Sequence, residues 1–377
     1  MGEGRRLDRA KSMRVERGDE PFRGLPHGDG RHVSLQEIVG ELLRREAGDR
    51  GVAAVSVVER HGADPISVWT PELERPPRFL IYSITKTFTA VLILRMCEDG
   101  RLELTDPVAT WFPEVPESRR MTVEQLLNHS SGIPDYGGLA AYHMELQQSP
   151  TRPWSFERFA AETYEKGLLF PPGEGWSYSN PGYMLLKGIA EQLGGKSYAA
   201  LIADHITTPL ALRDTAVVHS LEDMKPLAAG TSSELAPDGQ PRDVRAYYDP
   251  GWVSHGVIGS SCSDVARFFD SLFAGSLLSG DRVREMLELI RLETFSPEDR
   301  DALPLRPESP SYGLGLMGDP DSPWGLLVGH NGGGPCYRAS AFTATKSGVS
   351  VCAMAAIEQG FSTESVVAQT LNALIPS

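Results

Sequence analysis

Apolar residues repeat at helical spacing near the start of the chain and then fall into short strand-like runs. Ser34 with Glu37 forms a capping-box signature ahead of an apolar stripe at 38–43, which predicts an amphipathic first helix. The valine- and alanine-rich run 51–59 and the apolar run 66–69 enclose a short polar turn that contains glycine. This pattern predicts a β-hairpin that begins a sheet.

A second and more apolar helix is predicted over Ile84–Cys97, because apolar residues continue there without proline until Asp99 and Gly100 end the run. Ser83 lies at the opening of this helix. Lys86 follows three residues later, so the two side chains fall on one face of the helix, one turn apart.

The middle of the chain, 105–305, alternates helical stretches with loops rich in proline and glycine, whereas four runs between 312 and 355 return to strand character. One of these predicted strands is Tyr312–Met317, and a closing helix is predicted over 365–375. The predicted fold class is α/β (α+β): an antiparallel sheet flanked by N- and C-terminal helices, with a large inserted all-helical domain.

The corresponding domain boundaries can be written from the same pattern. We expect a polar extension at 1–31, a sheet domain formed by 32–82 and 306–377, and an inserted helical domain at 83–305. The extension mixes acidic and basic residues without an apolar run, so we expect a solvated segment rather than a secretory signal, and a cytoplasmic protein.

Composition narrows the function classes. The 377 residues include 36 basic and 50 acidic side chains, a formal charge of −14, which argues against nucleic acid or an anionic membrane surface as a partner. No stretch approaches the roughly 20 apolar residues of a membrane span. The four cysteines are scattered and no His-Glu-x-x-His occurs, so we predict neither a metal nor a cofactor.

Ser-x-x-Lys occurs once in the chain, as Ser83 and Lys86. A serine hydroxyl attacks a carbonyl only if a base removes its proton, and a lysine can do so when burial lowers its pKa. On its own the short motif is more typical of a capping serine followed by a surface lysine.

Tyr-x-Asn also occurs once, as Tyr178 and Asn180 in a loop punctuated by glycine and proline. A tyrosine phenolate or phenol can relay a proton, and an asparagine amide can bind a substrate carbonyl. The alternative is an Asx-type turn with a packed aromatic ring.

His330, Asn331, Gly332 and Gly333 stand against the start of a predicted strand. Glycine there lets a substrate lie against the backbone, so an N–H group beside Gly332 can join that of Ser83 in an oxyanion hole. The alternative is a flexible hairpin turn with an incidental histidine.

Three motifs in this order, Ser83-x-x-Lys86, Tyr178-x-Asn180 and His330-x-Gly332, resemble those of the penicillin-recognising serine hydrolases, most closely the class C β-lactamase-like branch of esterases, transacylases and D-peptidases. The resemblance implies a β-lactamase-like fold with the active site between the sheet and the helical domain.

The same resemblance implies a role for each residue. Ser83 is the implied nucleophile, Lys86 and Tyr178 the pair that moves its proton, and Asn180 a carbonyl ligand. The third motif supplies further substrate-binding positions, with His330 and Asn331 at its start and the second oxyanion N–H at Gly333.

The third motif departs from the Lys-Thr-Gly that is usual in the β-lactamases, because His330 and Asn331 stand in its first two positions. A histidine is mostly neutral at pH 7 and is therefore a poorer fixed cation for a substrate carboxylate. We expect acyl transfer from a small-molecule ester or amide to water, or to an amine or alcohol acceptor. The alternatives are a D-stereospecific peptidase or β-lactamase, and a penicillin-binding sensor that does not turn over.

Overall fold

A computed structural model of the protein describes residues 34–164, 167–293 and 296–375. The polar extension expected at 1–31 lies outside the described residues. The strands are β1 (Val52–Val58), β2 (Ile66–Thr70), β3 (Arg78–Leu80), β4 (Ala216–Val218), β5 (Thr231–Ser232), β6 (Arg242–Asp243), β7 (Val257–Ser261), β8 (Ile290–Arg291), β9 (Ser311–Tyr312), β10 (Met317–Ser322), β11 (Gly325–Gly333), β12 (Tyr337–Ala344) and β13 (Val349–Ala356).

The α-helices of the described residues follow the capping signals of the sequence closely, with Ser34 and Glu37 forming the predicted capping box of the first one. They are α1 (Leu35–Ala47), α2 (Thr85–Glu98), α3 (Val123–Leu127), α4 (Ala140–Gln148), α5 (Phe156–Tyr164), α6 (Asn180–Gly194), α7 (Tyr198–Ile202), α8 (Leu221–Met224), α9 (Val244–Tyr247), α10 (Cys262–Phe273), α11 (Gly280–Met286), α12 (Pro297–Ala302) and α13 (Thr363–Leu374). None of these helices has the length and apolar character needed to cross a membrane.

The main sheet is antiparallel and joins the two ends of the chain. Its strand order is β2-β1-β13-β12-β11-β10-β9-β8, so the predicted hairpin β1–β2 pairs directly with the last strand, β13. The predicted antiparallel sheet with a helix from each terminus is confirmed.

Helices cover both faces of this sheet because strand side chains alternate between faces. Val55 and Ala353 pack with Val39 of α1 and Val366 of α13 in one apolar cluster. Ala54 belongs to the second and larger cluster, which contains the buried residues of α2, α6 and α10. The sheet therefore lies between two apolar layers. One contains α1 and α13, and the other, larger layer contains α2.

The segment predicted as an all-helical insertion is mainly helical but also contributes short strands. The strand β7 pairs on one side with β3 and on the other with β4, which gives a second, three-stranded sheet. The sequence pattern did not predict these strands because each is too short to show a period. The predicted boundaries between the sheet and helical domains stay a prediction.

The prediction of a continuous strand over Tyr312–Met317 is wrong. The chain leaves the sheet after β9 and re-enters it at β10, and Gly315 between them has a φ of +73°. A Cβ at Gly315 would lie 2.6 Å from the Cβ of Ala90. The carbonyl oxygen of Gly315 accepts a hydrogen bond from the Thr87 hydroxyl at 2.8 Å. Packing against α2 interrupts the strand, and glycine allows both the close approach and the left-handed backbone.

Candidate active site

Ser83 occupies a single 3₁₀ turn, Tyr82–Ile84, that leads directly into α2. Tyr82 holds a left-handed backbone conformation with a φ of 43°, which is rare for a bulky side chain and costs about 1–3 kcal/mol. Its buried hydroxyl donates a hydrogen bond to the carbonyl oxygen of Pro335 at 2.9 Å. This contact with the loop after β11 holds the turn that presents Ser83.

The third motif lies against the same turn. A Cβ at Gly332 would come within 2.0 Å of the Ile81 carbonyl oxygen and 3.2 Å of the Ser83 backbone nitrogen. Real side chains do not approach a backbone oxygen so closely, so only glycine fits here. Strand β11 therefore packs directly against the serine turn, with Gly332 beside the backbone nitrogen of Ser83.

Lys86 is fully buried one turn after Ser83, and its Nζ lies 3.2 Å from the Ser83 Oγ. The same Nζ donates to the Asn180 Oδ1 at 2.6 Å. Burial lowers the pKa of Lys86 to about 7, although the charge of Asp135 opposes this shift. The lysine is therefore largely neutral in mildly alkaline solution, which is the state a general base needs.

Tyr178 and Asn180 flank the start of α6, where the Ser179 side chain caps the helix. The Lys86 Nζ lies 4.8 Å from the centre of the Tyr178 ring. Burial raises the pKa of Tyr178 well above its ordinary value, and a hydrogen bond with Ser83 offsets part of this shift. The phenol therefore keeps its proton. Between the two states that the sequence left open, phenol and phenolate, the structure favours the phenol.

His255 joins this group although no sequence signal singled it out. Its Nε2 lies 2.9 Å from the Lys86 Nζ, and its side chain is buried. Burial is the main cause that holds the pKa of His255 well below its ordinary value, so the ring is neutral. A single histidine in a loop before β7 shows no period or motif, and only the folded chain brings it to the lysine.

The His330 side chain is fully buried and does not line the cavity that Ser83 and Tyr178 line. Its Nε2 lies 2.9 Å from the Tyr312 hydroxyl, and its Nδ1 lies 2.6 Å from the Asn331 carbonyl oxygen, to which it must donate. Burial lowers the pKa of His330 to about 3. A neutral, enclosed imidazole offers no positive charge to a substrate carboxylate. The substrate-binding role expected for His330 stays a prediction.

The remaining predicted positions surround one cavity of about 550 Å³. Ser83 and Tyr178 line it together with the third-motif residues Asn331, Gly332 and Gly333. Two charged residues that the sequence analysis did not identify also line it, Glu364 of α13 and Arg338 of β12. A volume of this size suits a small molecule. Among the described residues, no cluster of three or more His, Cys, Asp or Glu could hold a metal ion.

The family of the chain follows from comparison with known proteins. The family model for β-lactamase matches residues 42–372, which is most of the sequence. The chain belongs to the β-lactamase family. The predicted resemblance to this family is confirmed, and so is the predicted β-lactamase-like fold.

Several relatives place this β-lactamase-family chain among hydrolases of different specificity. It is 30% identical to a penicillin-binding protein of Bacillus subtilis (strain 168) over 69% of the chain and 56% of that protein. It is 27% identical to the esterase EstB of Burkholderia gladioli over 79% of the chain and 85% of the esterase. A solved structure of a D-stereospecific amidohydrolase from a Streptomyces species matches with a TM-score of 0.76 and 26% identity, over 90% of the chain and 98% of that protein.

Coverage differs between these relatives. The first two curated relatives are matched over only 56% and 57% of their own length, so the chain spans little more than half of each.

Proposed function

We propose that the protein is a serine acyl-transfer enzyme that works through an acyl-Ser83 intermediate. The acyl donor is a small-molecule carboxylic ester or amide. The observation that carries the proposal is the contact between the Ser83 Oγ and the Nζ of a fully buried Lys86 whose pKa is lowered to about 7. A surface lysine next to a capping serine, the alternative left open by the sequence, would be solvated and would keep its proton.

Acylation begins when the Ser83 Oγ attacks the carbonyl carbon of the donor. The neutral Lys86 takes the hydroxyl proton either directly or through the Tyr178 phenol. In the second route the phenol gives its own proton to Lys86 and takes the proton of Ser83. The developing oxyanion accepts hydrogen bonds from the N–H groups of Ser83 and Gly333. The same Lys86 and Tyr178 pair returns the proton to the leaving oxygen or nitrogen as the C–O or C–N bond breaks.

Asn180 has two tasks in this proposal. Its Oδ1 accepts a hydrogen bond from Lys86, and its backbone N–H donates to the Asp135 Oδ1 at 2.9 Å, which fixes the residue at the start of α6. The Nδ2 group then remains to donate to a carbonyl of the substrate.

Deacylation decides between a hydrolase and a transacylase. Water attacking the acyl-Ser83 carbonyl gives an esterase or amidase, whereas an amine or alcohol gives a transferred acyl group. All catalytic groups are shared, and the difference lies in which acceptor reaches the cavity.

A D-stereospecific amidase or peptidase is the second candidate. It is favoured by the match to the Streptomyces D-stereospecific amidohydrolase, which covers 98% of that protein. Both candidates use the same serine and base, so they differ only in the substrate that the cavity accepts.

The test compares the wild-type protein with Ser83→Ala and with Ser276→Ala, an exposed serine that serves as the control. We expect turnover of p-nitrophenyl butyrate by the wild type and the control, and its loss in Ser83→Ala. Adding a primary amine identifies a transacylase if an amide product forms. A lasting penicillin adduct without ester turnover would instead identify a sensor, and no reaction with either reagent would contradict the proposal.

A further inference from the structure

The cavity next to Ser83 carries a carboxylate that the proposed chemistry does not use. Glu364 lies in the first turn of α13 and lines the cavity together with Ser83 and Tyr178. The first turn of a helix favours a negative charge, because the helix dipole and the free N–H groups are oriented toward it. Its position in the helix therefore favours the ionised form of the Glu364 carboxylate.

This carboxylate lacks a cationic partner within the described part of the chain. Its one side-chain hydrogen bond there comes from the neutral Asn331 amide, whose Nδ2 donates to the Glu364 Oε1. Burial raises the pKa of Glu364, and the bond from Asn331 opposes this shift. A partly buried carboxylate without a counter-ion is costly, and a cation supplied by a ligand would lower that cost.

A second oxygen near Glu364 also lacks a donor. The Asn331 Oδ1 is buried without a hydrogen-bond partner in the described chain. An ammonium group has three donors and no acceptor, so it complements the Glu364 carboxylate that lines the cavity beside Asn331. A carboxylate or phosphate from a substrate would instead meet like charge.

Arg338, on another wall of the cavity, does not reverse this preference. Its Nη1 donates to the carbonyl oxygens of Gly334 and Tyr337, so the guanidinium is held against the backbone of its own turn. Within the described residues, the Glu364 carboxylate accepts no hydrogen bond from a backbone N–H and forms no ion pair with Arg338. Because Arg338 is bound to its own turn and not to Glu364, an ammonium group at Glu364 displaces no existing ion pair.

We propose that the cavity binds an ammonium group of the substrate against Glu364 and Asn331, so that the enzyme prefers esters or amides that carry a primary amine. This inference rests on the proposed acyl transfer at Ser83 and adds a substrate class to it. It also places Asn331, at the second position of the third motif, beside a bound cation and not beside a bound carboxylate.

The first test uses p-nitrophenyl esters of caproic, ε-aminocaproic and adipic acid, which differ only in a neutral, cationic or anionic end. We expect the wild-type kcat/KM to be roughly tenfold higher for the amine than for the neutral ester, as a charged hydrogen bond supplies. Glu364→Gln keeps an acceptor for Asn331 but removes the charge, and it should bring that ratio close to one. Glu41→Gln, the same change on an exposed position of α1, should leave the ratio at its wild-type value.

The second test measures ligand binding at the ammonium subsite, formed by Glu364 and Asn331, in the absence of turnover. The two proposals can then fail separately. Calorimetric titration of the Ser83→Ala protein with hexylammonium chloride should show binding that weakens roughly tenfold in the Ser83→Ala, Glu364→Gln protein, whereas hexanol should bind both equally. If no ester is turned over but hexylammonium binding depends on Glu364, the proposal of acyl transfer is contradicted and the proposal of an ammonium subsite is supported. Equal binding of hexylammonium by both proteins, or a preference for the adipic ester, would overturn the subsite.

Discussion

The Nζ of Lys86 lies 2.9 Å from the Nε2 of His255, in a site where both side chains are buried. Together with the Ser83 Oγ and the Asn180 Oδ1, this ring nitrogen gives the lysine three partners, as many as an ammonium has donors. When Lys86 is neutral, it can donate to Asn180 and His255 and still accept the proton of Ser83. We therefore expect His255, with its Nε2 as the acceptor, to act as a positioning residue that directs the lysine lone pair toward the serine.

Replacing His255 tests this role through the pH dependence of the reaction. His255→Leu leaves one N–H of a charged Lys86 without an acceptor, and an unsatisfied buried donor costs about 1–3 kcal/mol. The charged lysine is thereby disfavoured, so its pKa falls and the acid limb of kcat/KM moves to lower pH by about one unit or more.

His255→Gln offers an oxygen acceptor at the same position and serves as the matched variant. Its acid limb should stay near that of the wild type. A limb that moves equally in both variants would contradict the hydrogen-bonding role, and a limb that moves to higher pH in His255→Leu would contradict its sign.

The wild-type pH profile is itself a prediction. The base must be neutral, and burial lowers the pKa of Lys86 to about 7. We expect kcat/KM for a neutral ester to rise about tenfold per pH unit below pH 7 and to level off above it. Measurements from pH 5 to pH 9 check this, and a profile that is flat across that range would show that Lys86 is not the base.

Burial of Lys86 also predicts a pH-dependent stability. The ordinary pKa of 10.5 applies to the unfolded chain, whereas the folded value is about 7. Between these values the unfolded state binds one more proton, so the free energy of unfolding rises with pH by up to about 1.4 kcal/mol per unit. Below pH 7 both states hold the proton, and this contribution to the slope disappears.

Lys86→Met should remove this rise and also lower kcat/KM by a factor of about 100 to 10,000, the usual contribution of a general base. Lys346→Met, at an exposed position, should leave both properties as in the wild type. Urea unfolding of the three proteins at pH 7 and pH 10 provides the measurement. The same pH slope in Lys86→Met and the wild type would mean that the lysine keeps its ordinary pKa in the fold.

Glycine at position 332 is required by the contact with the serine turn. In Gly332→Ala the new Cβ would lie 2.0 Å from the Ile81 carbonyl oxygen, so β11 must move away from the turn. We expect a loss of about 1–3 kcal/mol in stability and at least a roughly hundredfold fall in kcat, because the oxyanion donors separate.

Gly138→Ala is the matched control, since a Cβ there meets nothing within 4 Å. Its stability and kcat should remain close to wild type. If kcat of Gly332→Ala also stayed at the wild-type value, the two N–H groups would not act as an oxyanion hole.

Local signals in the sequence were sufficient for much of the fold. The capping box at Ser34 is present as predicted, because it depends on residues three positions apart. The order of the three motifs also pointed to residues that the fold brings together, with Lys86 in contact with both Ser83 and Asn180.

Other features of the site could not be predicted because they depend on contacts between distant parts of the chain. His255 is 169 residues from the lysine it contacts, and Glu364 is 33 residues from Asn331. The His330 side chain is held by a hydrogen bond with the hydroxyl of Tyr312. Tyr312 ends β9, at the point where the strand predicted as continuous is interrupted. Neither periodicity nor motif spacing carries information about such pairings.

The proposed reaction depends on the acyl-Ser83 intermediate. Its most direct test is intact-mass spectrometry of the protein acid-quenched during turnover of p-nitrophenyl butyrate, followed by peptide mapping. We expect a mass increase equal to one butyryl group, located on Ser83 and absent from Ser83→Ala. A butyryl group on another residue, or undiminished ester turnover by Ser83→Ala, would contradict it.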